Sequence, residues 1–270
     1  MKKNNLPTLF ILFALFLTAC SISDAANINA KNMLSMKDTQ QMGDLVGKSD
    51  KAYEITKASF TDKGIRIEYP QIINMKDSNK QRTINEIIAD GAYGFLKNYS
   101  LETEEFSMEI QYEIKWKTDY FLSIQYSGIS FDKGTAHPVN NFYTTNIDIN
   151  KEKKLKLADL VNIDEGFVKK FIGGKFKETM PEHNYILNIF TTKEWLTMLN
   201  KADSNETEIC SYFTDNALGI SVGVSHAIGD HAEFEIKYED ILENIKNENE
   251  LWKLFLNKVS GDSSKKVWEK

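Results

Sequence analysis

Residues 106–116 read FSMEIQYEIKW, and the alternation in this stretch decides the fold class. Every second residue is apolar: Phe106, Met108, Ile110, Tyr112, Ile114 and Trp116. The positions between them are polar or charged. Because successive side chains of a β-strand point to opposite faces, the pattern predicts a strand with one buried face and one solvated face.

The segments on either side extend this strand into a sheet. Upstream, AYEITKASF and GIRIEYPQI flank the turn TDKG and predict a β-hairpin. An amphipathic helix follows, capped by Asp77 or Ser78. Downstream, YFLSIQYSGISF and FYTTNIDIN predict two further strands with short links. Consecutive long strands joined in this way indicate an antiparallel meander.

The second half of the chain repeats the mixture of helices and strands. Two helices are predicted around FVKKF and EWLTML, then the hairpin EICSYFTDNALGISVGV, the strand AEFEIKY and a helix over 239–259. We therefore predict an α+β fold, an antiparallel sheet meander with helices packed mainly on one face. It is expected to comprise two sequential subdomains, residues 52–162 and 163–260, followed by a charged tail at 261–270.

The N-terminus, MKKNNLPTLFILFALFLTAC, predicts export. Two lysines precede an apolar run at 9–17, which is shorter than the roughly 20 residues that span a bilayer. The run ends in Leu-Thr-Ala-Cys, which resembles the bacterial lipobox. We expect residues 1–19 to be a lipoprotein signal peptide, Cys20 to carry lipid, and residues 20–51 to form a flexible tether. The alternative is an ordinary cleaved signal that contains a cysteine.

Charge and cysteine content narrow the expected partners. Removal of the leader takes away two lysines and no acidic residue, so the net charge falls from −6 to −8. An acidic protein has no general attraction for nucleic acid and favours cationic partners. With Cys20 lipidated, Cys210 has no intramolecular partner. We expect an exported protein, lipid-anchored to the bacterial cell membrane or outer membrane and facing away from the cytoplasm.

Several segments, in order, resemble a bacterial extracytoplasmic domain of unknown function. They are GIRIEYPQI, TINEII, the Gly-x-Ala-His-Pro turn at 134–138, the Asn-x-Asp strand at 146–148 and the Leu-x-Leu-x-Asp-Leu segment at 155–160. Residues 212–241 resemble the partner domain that usually follows. The family includes the extracellular part of the lysozyme-sensing anti-sigma factor RsiV and the domain preceding some peptidoglycan deacetylases. The resemblance implies a fold and an envelope-facing binding role, without an established reaction.

His137 lies in the predicted turn GTAHPVNN, residues 134–141. The following Pro138 biases it to an extended backbone. Its role is either structural within the turn or one in surface recognition, because no base or nucleophile that would make it catalytic is evident nearby. Thr135 stands where many relatives have a second glycine, so the turn is expected to differ slightly from theirs.

His226, Asp230 and His231 lie in the predicted loop SHAIGDH, residues 225–231. They either bind a ligand or are solvated loop residues. A zinc site here would need further ligands, and Glu233 and His137 are the candidates. We predict these three residues and His137 as candidate binding residues, and we predict no catalytic residue, metal or cofactor.

The sequence favours a non-enzymatic envelope lipoprotein that binds a protein, possibly a lysozyme-like one, or a peptidoglycan partner. Four aromatic residues either line a glycan groove or belong to the core: Tyr112, Trp116, Tyr120 and Tyr126. Two other functions stay open. One is a cell-wall-directed hydrolase or metal-dependent enzyme, and the other is an accessory structural lipoprotein.

Overall fold

The computed structural model describes residues 52–98, 106–253 and 255, which adopt an α+β fold. The leader, Cys20, the tether and the charged tail lie outside these residues. In the part that is described, no helix has the length and apolar character needed to cross a membrane.

Within the described residues, six strands form a first sheet in chain order. They are β1 (Glu54–Asp62), β2 (Ile65–Ile73), β3 (Phe106–Lys117), β4 (Phe121–Asp132), β5 (Val139–Asp148) and β6 (Lys153–Leu155). The hairpin and the meander from β3 to β5 are antiparallel as predicted, and β6, which was not predicted, also pairs with β5 in the antiparallel direction. In contrast, β2 and β3 run parallel. Helix α1 (Ser78–Tyr93) connects this pair, because a crossover is needed for two neighbouring strands to run in the same direction.

Helix α1 begins and packs as its sequence predicts. The side chain of Asp77 caps it by accepting hydrogen bonds from the backbone N–H groups of Asn79 and Lys80. Its apolar face is buried against the first sheet. A Cβ at Gly91 would lie 2.1 Å from Oγ1 of Thr145 on β5, so only glycine permits this close approach.

The same described ranges contain a second sheet, in the order β7-β10-β9-β8. Its strands are β7 (Lys177–Glu178), β8 (Ile209–Phe213), β9 (Ala217–Gly223) and β10 (His231–Lys237). The remaining α-helices are α2 (Leu157–Leu160), α3 (Glu165–Ile172) and α4 (Thr192–Leu199). Thr191 and Glu194 form a reciprocal capping box at the start of α4.

Two hydrophobic cores are formed by the residues described. The first lies between α1 and one face of the first sheet, and includes Ile88 and Ile124. The second is built mainly from the second sheet with α3 and α4, and Phe121 of β4 contributes to it. Strand β4 is therefore buried on both faces, which explains why its sequence is apolar without clean alternation.

The prediction that Trp116 shares a face with the other apolar residues of β3 is wrong. A β-bulge separates Ile114, which pairs with Ile124, from Trp116, which pairs with Ser123. An extra residue in a strand reverses the face of every residue after it. Trp116 therefore lies in the second core, whereas Tyr126 is buried in the first. These two aromatic residues do not line a shared groove.

The prediction of one helix over 239–259 is also wrong. A 3₁₀ segment, Tyr238–Asn244, is followed by extended backbone at Ile245, which bridges to Val161. Helical backbone resumes after this bridge, and the indole N–H of Trp252 donates to the carbonyl of Leu160 at 2.6 Å. Pairing with the end of α2 thus interrupts the predicted helix. Residues 254 and 256–259 of the predicted helix lie outside the described residues.

Candidate binding cleft

The two sheets meet where the edge of β8 lies against β4 and β5. The carbonyl of Ser211 accepts hydrogen bonds from Oγ1 of Thr144 at 2.6 Å and from Nδ2 of Asn146 at 2.8 Å. The backbone N–H of Phe213 donates to Oγ of Ser123 at 3.0 Å. Side chains of the first sheet thus satisfy backbone groups that an edge strand would otherwise leave unpaired.

Asp203 adds further hydrogen bonds to the same residue of β8, Ser211. Its carboxylate accepts hydrogen bonds from the backbone N–H of Ser211 at 2.7 Å and from the Ser211 hydroxyl at 2.7 Å. It also accepts one from the backbone N–H of Leu157 at 2.8 Å. Burial raises the pKa of Asp203, and the hydrogen bonds from Ser211 and Leu157 oppose that effect. Asp203 therefore fixes the loop at 203–208, which begins at this residue.

A cleft with a volume of about 880 Å³ opens beside this junction. One wall is the C-terminal part of α1 and the turn after it, including Gly91 and Phe95. The other wall is the second sheet with the 203–208 loop, including Glu208 and Ser221. The first half of β5, residues 139–144, lies along the cleft. We call this feature the β5 cleft.

The β5 cleft is acidic. The carboxylates lining it are those of Asp90, Asp203, Glu208 and Asp230, whereas Lys154 is the lysine among its lining residues. A concave surface dominated by one sign of charge concentrates ligands of the opposite sign. The cleft therefore favours a cationic ligand.

The structure brings three of the four predicted site residues together at one end of the cleft. The His226 Nδ1 atom lies 3.1 Å from both carboxylate oxygens of Asp230. The His137 ring stacks on the His226 ring with centroids 5.1 Å apart. Oδ2 of Asp230 accepts hydrogen bonds from the backbone N–H of Asn140 at 2.8 Å and from its side-chain amide at 3.0 Å. These contacts join the turn before β5 to the loop before β10.

His231, the fourth predicted residue, begins β10 and lines the cleft. Its ring lies 4.8 Å from that of Phe142, and its Nε2 atom is 3.6 Å from a carboxylate oxygen of Glu233. Where the structure describes the chain, no group of three or more His, Cys, Asp or Glu side chains is placed to hold a metal ion. From the sequence, His137 is a candidate zinc ligand beside His226. In the structure, these two rings contact each other through their faces.

The turn that carries His137 is held by its own side chains. The Thr135 hydroxyl donates to the carbonyl of Asp132 at 2.7 Å, and the backbone N–H of Gly134 donates to the carboxylate of the same aspartate at 2.9 Å. The Thr135 hydroxyl also lies 3.1 Å from the carbonyl oxygen of His137. Thr135 thus hydrogen-bonds within the turn.

Two further residues near the cleft carry little signal in the sequence. His183 is buried, and its Nε2 atom lies 3.0 Å from the carbonyl oxygen of Ile228 in the His226 loop. Cys210 lines the cleft with a free thiol. Burial, and then the nearby Asp203 carboxylate, raise the pKa of that thiol. The protonated thiol is a poor nucleophile, so Cys210 contributes a small, weakly polar surface to the cleft.

Asp230 links the two loops in a way that depends on pH. Burial alone would raise the pKa of Asp230. Hydrogen bonds from Asn140 and His226 outweigh the effect of burial, so the pKa of Asp230 is lowered. A carboxyl group whose pKa is lower in the folded state than in the unfolded state stabilises the fold when the pH is above its unfolded-state pKa, which is about 3.9. This stabilisation is lost as the pH falls through the folded-state pKa. We expect Asp230→Asn to cost about 1 kcal/mol at pH 7 and much less at pH 3.

Urea unfolding of both proteins at the two pH values measures this difference. Asparagine retains the side-chain size and tolerates the positive φ of 70° at this position, so the comparison removes the charge and one acceptor oxygen without straining the backbone. A cost that is the same at both pH values would contradict the role assigned to the carboxylate.

Comparison with known proteins bears on the fold. Residues 56–140 match the family model described as Deacetylase PdaC, a match that runs from β1 into β5 and includes His137. No curated protein matches the sequence. The crystal structure of a DUF3298 family member from Bacteroides fragilis superimposes with a TM-score of 0.50 at 15% identity, over 74% of this chain and 96% of that chain. A DUF3298 family protein from Pseudomonas aeruginosa gives a TM-score of 0.46 at 15% identity, over 72% and 95%.

The chain is therefore similar in fold to a protein of the DUF3298 family, and its residues 56–140 are similar to the Deacetylase PdaC family model. At 15% identity the likeness to the Bacteroides fragilis protein concerns the fold alone. The predicted α+β class is confirmed. The relation to RsiV stays a prediction.

Proposed function

We propose that this protein is an exported, lipid-anchored envelope protein that binds a cationic protein partner in the β5 cleft without catalysing a reaction. The observation that carries the proposal is the cleft itself, which Glu208 and Asp230 line together with β5, and in which the Asp230 carboxylate binds the backbone N–H of Asn140. The leader at 1–19 and the lipobox ending in Cys20 support the location. Acylation there would hold the body at the membrane surface.

A lysozyme-like protein is the partner that we would test first. Its positive charge is complementary to the cleft, and such complementarity mainly increases the rate and specificity of association. The sequence resemblance to the extracellular part of RsiV supports the same choice. Peptidoglycan fragments are the second probe, because an envelope-facing domain meets cell-wall glycan as well as protein.

The test titrates the full chain in detergent with lysozyme and compares two charge reversals. Glu208→Lys places a positive charge in the cleft and should weaken binding about tenfold, which corresponds to about 1.4 kcal/mol. Glu239→Lys makes the same change after β10, at the opposite end of that strand from His231, and should leave the affinity unchanged. Raising the salt concentration should also weaken binding, because exposed charges are screened.

The absence of binding to both lysozyme and peptidoglycan fragments would contradict the proposal. Equal effects of the two reversals would place the contact outside the cleft. The second candidate is a hydrolase acting on acetylated cell-wall glycan, and the name of the family model that matches residues 56–140 favours it. Release of acetate from peptidoglycan fragments by the purified chain would support that candidate instead.

A further inference from the structure

The first half of β5 has a free edge. β5 pairs with β4 from Val139 to Asp148, but β6 covers its other side only from Asn146 to Asp148. No strand among those described pairs with residues 139–145 on that side. An edge of this kind offers a row of backbone groups to another chain, and proteins usually block or cover it.

The pairing of β5 with β4 shows which backbone groups of β5 point away from β4. The N–H of Asn140 points away from β4, since it donates to the Asp230 carboxylate. Backbone groups alternate in direction along an antiparallel strand, so Phe142 and Thr144 also direct their N–H and C=O groups away from β4. Asn146 follows the same rule, and its pairing with Leu155 shows where an added strand would lie. A strand bound at Phe142 and Thr144 would continue the line of β6, whereas the N–H of Asn140 already donates to Asp230.

The free edge is enclosed by two different walls. On the α1 side, the cleft is lined mainly by apolar groups that include Phe95, Met108 and Tyr143, and Asp90 is the acidic residue on that wall. On the second-sheet side, it is lined by polar and acidic groups that include Glu208 and Ser221. Because side chains of a strand alternate between faces, an added strand would present every second residue to each wall. The walls therefore suit a segment that alternates apolar and basic residues.

We propose that the free edge of β5 binds an extended peptide segment of a protein partner, with alternating apolar and basic side chains, as an added β-strand. In this mode, backbone hydrogen bonds supply affinity and pockets for alternate side chains supply specificity. The inference rests on the proposed function, because it specifies how a cationic protein partner occupies the same cleft.

The experiment uses the full chain in detergent and a defined probe, the fluorescent hexapeptide Lys-Val-Lys-Val-Lys-Val. Its extended length of about 20 Å, at about 3.3 Å per residue, matches the free edge. One control peptide carries N-methyl groups on alternate residues, which remove backbone donors without changing the side chains. The other replaces lysine by glutamate. Fluorescence anisotropy should show at least tenfold weaker binding for both controls.

A pair of variants tests the protein side of the contact. Phe142→Pro removes an N–H that points out of the sheet, which an edge position tolerates without loss of the ladder to β4. Phe142→Ala retains that N–H and controls for loss of the ring, which contacts His231 and Tyr212. We expect Phe142→Pro to bind the lysine peptide at least tenfold more weakly than Phe142→Ala. Amide hydrogen exchange of the unmodified chain gives a second readout, since peptide should protect the N–H groups of Phe142 and Thr144.

Equal binding of the methylated and unmethylated peptides, equal affinities of the two variants, or no peptide binding would overturn the inference. Protection of the Phe142 and Thr144 amides before peptide is added would mean that this chain or a second copy already occupies the edge, which also overturns it. If lysozyme binds and the peptide does not, the proposed function stands and this inference fails. If neither binds, both fail.

Discussion

Replacing Asp203 by alanine should lower the free energy of unfolding by about 3–5 kcal/mol. The carboxylate accepts hydrogen bonds from both the backbone N–H and the hydroxyl of Ser211, and from the backbone N–H of Leu157. Alanine would leave these buried donors without an acceptor. The backbone of Asp203 has a φ of 62°, a left-handed conformation that aspartate tolerates better than alanine. Loss of this residue should therefore weaken the junction between the two sheets.

Two control variants separate the effect of the lost acceptor from the effects of the backbone conformation and of removing any carboxylate. Asp203→Asn tolerates the left-handed backbone and keeps one acceptor oxygen, so its cost should be smaller than that of alanine. Asp215→Ala removes an exposed carboxylate from the turn before β9 and should change stability by less than about 0.5 kcal/mol. Urea unfolding with unchanged m-values measures all three variants. A cost below about 1 kcal/mol for Asp203→Ala would contradict the importance given to this junction.

Replacing Cys20 by serine should move the protein from the membrane fraction to the soluble fraction. The lipid is expected on the thiol of Cys20, and a hydroxyl does not replace it in that linkage. Stable attachment requires more than one acyl chain, because a single chain binds a membrane only reversibly. The soluble form should also lack the mass of the lipid in intact-protein mass spectrometry.

Cys210→Ser is the matched control, since Cys210 is the other cysteine of the chain. Its thiol lines the β5 cleft, so this variant should stay in the membrane fraction and retain the lipid mass. Recovery of the unaltered protein from the cytosol with an intact Met1 and no lipid would contradict the proposed anchoring.

Local sequence features predict much of the fold. The alternation in 106–116 predicts β3, because one face of that strand is buried and the other is solvated over most of its length. Asp77, one of the two residues predicted to cap α1, begins that helix, because a side-chain cap acts on backbone groups only two or three residues away. These features depend on neighbours in the chain, and a single sequence therefore contains the information.

Features that depend on distant partners could not be predicted in this way. The bulge before Trp116 becomes visible only from the pairing with β4, and the parallel pairing of β2 with β3 depends on where α1 returns the chain. Asp203 lies in the polar stretch ADSNETE, which is typical of a solvated loop. Its role follows from contacts with Leu157 and Ser211, which the sequence pattern does not indicate.

Only the part of the candidate site that depends on neighbours in the chain could be predicted from the sequence. His226 and Asp230 are four residues apart, so their contact is local and the loop sequence draws attention to it. Asn140 has no comparable signal, although it donates two hydrogen bonds to Asp230 from 90 residues away. The free edge of β5 depends on where β6 begins and ends its pairing. Neither feature has a local pattern.

Amide hydrogen exchange of the full chain with and without lysozyme tests most directly whether the β5 cleft binds a cationic protein. We expect slower exchange at Phe142, Thr144 and His231 when lysozyme is bound, with little change along β1 at the far edge of the first sheet. Unchanged exchange at these three residues under saturating lysozyme would contradict the claim.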